Sequence, residues 1–201
     1  MKDKIVTFGE IMLRLSPENN ARFTQCNAFE AVYGGGEANT AVSLANFGVD
    51  CGFVTKLPEH SIGQSAVNSL RQYGVDISNI VRGGDQIGIY FLEKKTSQRP
   101  TNVIYNRAGS AFALATADDF NWDEIFDGAT WFHFSGITPA ISDEMTNICI
   151  TACQKAKEKG MTVSCDLNYR SKLWSSEKAC EAMSRICQYV DVCIANEDDA
   201  I

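Results

Sequence analysis

From residue 131 onward the sequence repeats one pattern: a short apolar run, an amphipathic stretch, another apolar run. Trp131-Phe132-His133-Phe134 is the first run, and residues 161–165 and 190–195 are the next two. Between them, residues 142–159 carry Met145, Ile148, Cys149, Ala152 and Ala156 on one helical face and stop at Gly160; a second helix is expected over 176–189. Apolar strands that alternate with helices leave few folds open. They imply a parallel sheet with right-handed crossovers, buried on both faces.

The first half contains a second pattern. Ile5-Val6-Thr7-Phe8 ends at Gly9 and reads as a buried strand, as does 51–57. Residues 11–16 alternate, with Met12, Arg14 and Ser16 on one side and Ile11, Leu13 and Leu15 on the other, which predicts a half-exposed strand. Residues 17–20 form a turn, and 28–33 lead back toward the glycines. Ser61 and Gln64 have the spacing of a capping box, and Ile62, Ala66, Leu70 and Tyr73 mark a helix ending at Gly74. Residues 87–93 and 101–106 read as an antiparallel pair across a polar loop. With the early strands they make a small separate sheet, at about 11–33 and 87–107.

The strongest local signal is Tyr33-Gly34-Gly35-Gly36-Glu37-Ala38-Asn39-Thr40-Ala41. Glycines run straight into a helix whose inner face is Ala38, Ala41, Val42 and Ala45, with Gly48 as its stop. Such a turn lets a ligand sit against the main chain, and the helix start offers unpaired N–H donors. A plain strand-to-helix turn has the same spacing.

Composition narrows the classes. The chain has 201 residues, 45% of them hydrophobic, which suits one sizeable globular domain. Its net charge is −7 with no basic cluster, so nucleic acid is not an expected partner. No apolar run is long enough to span a membrane. Eight cysteines form no C-x-x-C pair, and His60 and His133 are too scattered for a zinc site. Free thiols point to a reducing, cytoplasmic setting.

In an open parallel sheet, ligands gather beyond the carboxyl ends of the strands. The polar groups expected there are the 34–39 turn, Ser135-Gly136, Asp166-Leu167-Asn168-Tyr169-Arg170 and the 196–199 stretch. Tyr105 and Arg107 are two apart on a strand and so share a face, near Tyr90. Arginine clamps a carboxylate or phosphate bidentately, and asparagine donates to phosphate oxygens. Asn196 with Asp199 suits a magnesium-bound water. Each of these also has a plainer explanation: an exposed strand face, an Asx turn, a helix cap.

Taken together and in order, these motifs resemble the ribokinase-like (PfkB) carbohydrate kinases, and within them the 2-keto-3-deoxygluconate kinases. The resemblance covers essentially the whole chain. It rests on residues 34–45, on Ile89-Tyr90-Phe91-Leu92-Glu93, on Arg99-Pro100 with residues 103–111, and on the D-x-N-x-R element at 166–170. It implies a doubly wound, mostly parallel α/β sheet with a small β-lid, which is often a dimer contact. It implies ATP-dependent phosphorylation of a hydroxyl of 2-keto-3-deoxygluconate, with Mg2+. By position, Gly34, Gly35, Gly36, Glu37, Ala38 and Asn39 hold substrate hydroxyls; Tyr90, Tyr105, Arg107 and Arg170 contact the sugar acid. Asn168 and Asn196 approach the nucleotide. Asp199 stands where the family has Glu and reaches the metal through water.

One family element is missing. The catalytic Asp lies in a G-A-G-D motif, and no such motif occurs in these 201 residues. Asn196-Glu197-Asp198-Asp199 looks like the start of a helix. The expectation is an N-terminal portion of a longer kinase, inactive alone, since phosphoryl transfer needs a group that orients the nucleophile. Competing expectations are a ribokinase- or fructokinase-type enzyme and a non-catalytic sugar-acid binder. A Rossmann enzyme is excluded, because Gly9-Glu10-Ile11-Met12 replaces the G-x-G-x-x-G that should follow the first strand.

Overall fold

The apolar run after Asp3 forms strand β1 (Lys4–Phe8), which lies inside a six-stranded sheet. The structure, a computed structural model, describes residues 3–197 and 199. In chain order follow β2 (Met12–Pro17), β3 (Phe29–Gly34), α1 (Gly36–Asn46), β4 (Asp50–Leu57), α2 (Ser61–Arg71) and β5 (Ile80–Arg82). Then come β6 (Ile89–Glu93), β7 (Asn102–Asn106), α3 (Trp122–Ile125), β8 (Trp131–Ser135) and α4 (Ile137–Ala140). The chain continues through α5 (Asp143–Glu158), β9 (Thr162–Asp166), α6 (Ser176–Cys187) and β10 (Val192–Ile194).

The large sheet has the order β10-β9-β8-β1-β4-β5, and its strands pair parallel. Side chains alternate across it. Phe8, Phe132 and Phe134 pack on one side with Met145, Ile148, Cys149, Ala152 and Ala156 of α5 and Ile186 of α6. Phe53 packs on the other side with Ala38 and Ala41 of α1 and Ala66 and Leu70 of α2. Helices thus cover both faces, which makes the fold doubly wound and explains why its strands read as apolar runs. The ends of α5 suit its dipole: the Ser142 hydroxyl accepts from Met145 N at 3.1 Å, acids fill the first turn and lysines the last. At its far end Gly160 takes φ +71°, the left-handed stop its sequence position suggested.

The second sheet, β3-β2-β6-β7, is antiparallel at its two outer pairings and parallel between β2 and β6. It differs from expectation in one respect. β2 is not a half-exposed strand, because β3 and β6 flank it: Met12, Leu13, Ser16 and Pro17 are buried. A second difference lies at α2. Its cap is His60, whose Nδ1 accepts from Gly63 N at 3.4 Å, rather than a capping box at Ser61. The chain turns there because the Pro58 carbonyl occupies the space a side chain on Gly63 would need. The helix start expected at 196–201 falls partly outside the described residues.

Residues 107–126 gave no periodic signal, yet they deliver Phe112, Phe120, Trp122, Ile125 and Phe126 to the core. The Phe8 ring lies 5.4 Å from Phe112, 5.1 Å from Phe120 and 5.2 Å from Trp122, in tilted or edge-on arrangements. Phe8→Ala is therefore expected to cost about 3–5 kcal/mol, seen as a lowered urea midpoint in tryptophan fluorescence.

Candidate functional site

The chain passes between the two sheets at the links β1 to β2, β3 to α1 and β5 to β6, and again after β7. Glycines mark these passages because backbone and carboxylates crowd them. The Glu10 carbonyl fills the side-chain space of Gly35, and a Cβ on Gly88 would lie 2.5 Å from Glu10 Oε1 and 2.9 Å from Met12 Cγ. The Leu13 N–H donates to the Gly88 carbonyl at 2.9 Å and the Ala111 N–H to that of Gln86 at 2.8 Å, so neighbouring passages are stitched to each other.

The small sheet roofs the carboxyl end of the large one. Its register puts Val32, Arg14, Tyr90 and Tyr105 in one row. The Tyr90 and Tyr105 rings stack, with centroids 5.8 Å apart. A Cβ on Gly34 would lie 3.7 Å from Asn39 Oδ1 and 3.9 Å from the Tyr90 hydroxyl, so an amide and a phenol converge over that glycine. Tyr105 and Arg107 then line a cavity of about 760 Å³ with Met12, Ile137, Tyr169 and Arg170. Gly34, Ala38 and Asn39 border a second hollow of about 490 Å³ between β3, α1 and the end of α2. Tyr90 stands between the two groups.

One of the expected ligand contacts points elsewhere. Glu37 is 3% exposed, and its Oε1 accepts from Ser135 N at 3.0 Å, Ser135 Oγ at 2.5 Å and Thr138 Oγ1 at 3.3 Å. Its carboxylate lies against Gly9, where a side chain would collide with it. Glu37 therefore joins the start of α1 to the end of β8 and lines neither cavity. Ala38, 2% exposed, packs in the core beside Ala41. Burial pushes the Glu37 carboxyl above its ordinary pKa, and the Ser135 hydroxyl and amide oppose that rise.

Arg107 is drawn inward by a residue the sequence did not flag. Its Nη2 forms an ion pair with Glu10 Oε2, the two side chains being 11% and 3% exposed. Glu10 Oε1 also accepts from Ser110 Oγ at 2.6 Å. Burial holds the Glu10 pKa above its ordinary value, and the Arg107 charge and the Ser110 hydrogen bond offset that rise only in part. The only sequence hint was a charged residue set between two apolar runs, directly after Gly9.

The remaining candidates sit on adjoining loops. Leu167 N donates to the Ile194 carbonyl at 2.9 Å, bringing the turn after β9 against the end of β10. Asn168 takes φ +42° and its amide reaches Asp166 Oδ2 at 3.3 Å. Asp199 accepts backbone N–H groups from Tyr169 at 2.8 Å and Asn196 at 3.1 Å, and the Asn196 side chain caps Asp199 N at 3.0 Å. Each carboxylate oxygen keeps a second lone pair, enough for a water. Among the described residues no three His, Cys, Asp or Glu side chains converge to hold a metal ion directly.

The fold is a doubly wound α/β sheet roofed by a small β-lid, with Arg107 and Arg170 lining a cavity between them. The chain belongs to the pfkB family of carbohydrate kinases, whose profile matches residues 2–200. It is 39% identical over 201 residues to the 2-dehydro-3-deoxygalactonokinase of Haloferax volcanii, covering 99% of this chain and 62% of that protein. It is 30% identical over 179 residues to the 2-dehydro-3-deoxygluconokinase of Bacillus subtilis, covering 88% and 55%. The crystal structure of 2-dehydro-3-deoxygluconokinase from Thermotoga maritima superimposes with a TM-score of 0.96 at 54% identity, covering 98% of this chain and 60% of that one. The chain thus spans between 55% and 62% of the length of these relatives.

The raised Glu37 pKa has a defined consequence for stability. The folded protein holds this proton more tightly than the unfolded chain, so its contribution is complete below the unfolded value near 4.5 and is lost as pH rises through the folded value. Glu37→Gln keeps an acceptor for Ser135 and Thr138 without the charge. Its urea midpoint should match wild type near pH 4.5 and exceed it at pH 7.5. Glu37→Ala strips the donors of their partner and should lose about 2–4 kcal/mol at either pH.

Proposed function

We propose that the protein carrying this chain transfers the terminal phosphoryl group of ATP to a hydroxyl of a 2-keto-3-deoxy sugar acid, 2-keto-3-deoxygluconate first among them. The observation that carries this reading is the meeting of Arg107, Arg170 and Tyr105 in one cavity between lid and sheet. A neutral sugar needs hydroxyl partners alone, whereas guanidinium groups beside a phenol suit a carboxylate. Family membership supplies the reaction type.

In this reading Arg107 and Arg170 bind the acid end, Tyr90 and Tyr105 flank the chain of the sugar, and Gly34 with Asn39 receives hydroxyls at the other end. Asn168 and Asn196 face the phosphates from the loops after β9 and β10. Asp199 would hold a magnesium-bound water beside the nucleotide, where the ion would offset phosphate charge. The lid excludes solvent from the transfer and holds the acceptor in line. The acid-binding set reads the carboxylate, which gluconate- and galactonate-derived acids share, so the family relatives of both kinds remain consistent with one arrangement.

The outer face of the lid supports a second copy of the chain as a partner. Where this face runs past the core, Phe91 and Ile104 are paired by register, Phe29 packs edge-on against Phe91 at 6.1 Å, and Phe29 and Ile104 are 40% and 51% exposed, while Leu15 in the same row packs against the core. An apolar sheet face of this kind is a natural dimer contact.

The test is ADP release by the complete enzyme with 2-keto-3-deoxygluconate, 2-keto-3-deoxygalactonate, ribose and fructose. Selective turnover of the keto acids is expected. Arg170→Ala, an exposed position outside the core, should raise KM for the acid by about tenfold or more and leave kcat within about twofold. Equal turnover of ribose or fructose would put the neutral-sugar kinases in its place.

A further inference from the structure

Every passage of the chain between the two sheets meets at Glu10. It lies on the first passage, just beyond β1. The β3-to-α1 passage presses Gly35 on its carbonyl, and the passage into β6 presses Gly88 on its carboxylate. The passage leaving β7 supplies Arg107 and Ser110, both bonded to that carboxylate. Ser110 Oγ in turn accepts from Ala113 N at 3.1 Å, which fixes the direction of its own proton toward Glu10.

Arg107 is also a wall of the 760 Å³ cavity. One guanidinium therefore faces Glu10 on one side and the candidate ligand on the other. Arg170 and Lys172, which line the same cavity, make no ion pair among the described residues. The charge on Arg107 is cancelled in place; theirs is not. A cation already paired to a buried carboxylate attracts a second carboxylate less strongly, but it is held in a fixed orientation.

We infer that Glu10 is a positioning residue for acid recognition: it aims Arg107 at the cavity, neutralises it, and ties its placement to the lid. This rests on the sugar-acid reading of the cavity. It predicts that acid selectivity is set below its maximum by Glu10, with Arg107 contributing directed hydrogen bonds and Arg170 the uncompensated charge.

Glu10→Gln separates the two roles: its amide oxygen accepts from Arg107 without the negative charge, while Ser110 turns its proton aside to accept from the amide NH2. In the complete enzyme, E10Q should lower KM for 2-keto-3-deoxygluconate about fivefold at unchanged kcat, with KM for a neutral sugar held within about twofold. In an Arg107→Gln background the same substitution should have no effect on KM, the non-additivity of groups that act through each other. Gly88→Ala pushes on the carboxylate from the lid side and needs no folded E10Q. It should raise KM for the acid about threefold, since Arg107 then loses its anchor. An unchanged ratio of acid to neutral KM in E10Q and G88A, with wild type preferring the acid, overturns the inference alone. So does an E10Q effect that persists without Arg107. A wild-type enzyme with no preference for the acid overturns the functional reading and this inference with it.

Discussion

Two buried carboxylates beside one glycine hold this structure together. Gly9 ends the first strand with no side chain, and the Glu37 carboxylate fills the space above it. Glu10 follows at once and turns its own carboxylate to the lid side. Burying a charge is costly unless hydrogen bonds or a counter-ion replace water. The two glutamates meet that requirement differently. Glu37 has hydroxyl and amide donors and no cation, and its pKa rises. Glu10 has a guanidinium, and its pKa rises too, but against that opposing charge. One therefore behaves as a fixed strut between α1 and β8. The other is a charged joint whose partner is also a wall of the cavity.

This division explains why the cavity lies where it does. Thr7 Oγ1 donates to the Glu37 carbonyl at 3.2 Å, so β1, α1 and β8 form one rigid block around Glu37. The lid is attached to that block by the passages that converge on Glu10 and by Leu13, Leu15, Tyr33 and Ile89, which pack on the α1 and α2 side of the core. Its own apolar contacts are modest: Phe23, Phe29 and Phe91 pack edge-on, while most of β7 and the first half of β3 stand in solvent. Tyr169 and Arg170 come from the block and Tyr105 from the lid, so both sheets wall the same cavity.

Much of this was legible before any coordinates. The alternation over residues 131–195 specifies the parallel sheet because helix and strand periods differ and α5 is long enough to show its own. Gly160 marks a helix end through backbone conformation alone, a local property, whereas Gly35 is required by the Glu10 carbonyl pressed against it. What the sequence hid is what depends on distant partners. Glu37 meets Ser135 across 98 residues and Glu10 meets Ser110 across 100, so nothing local distinguishes a strut from a ligand contact. Short elements were hidden for another reason: β5 has three residues, and α3 and α4 have four each, too few to display a period. The cap of α2 moved by one residue to His60, since an imidazole nitrogen accepts a backbone N–H as a hydroxyl does.

The same physics bears on how a sugar acid would be told from a sugar. An arginine in a half-open cavity attracts any anion, including the phosphates of a nucleotide. Pairing Arg107 with Glu10 removes that indiscriminate attraction at the inner wall and leaves direction, the property a planar carboxylate answers to. Arg170, exposed at the cavity edge, keeps its full charge where solvent screens it. Attraction at the rim and alignment at the wall are then separate tasks on separate residues. Because Arg107 and Ser110 both bond the Glu10 carboxylate, an acid aligned on Arg107 would be coupled through one ion pair and one hydrogen bond to the point where the passages into the lid converge.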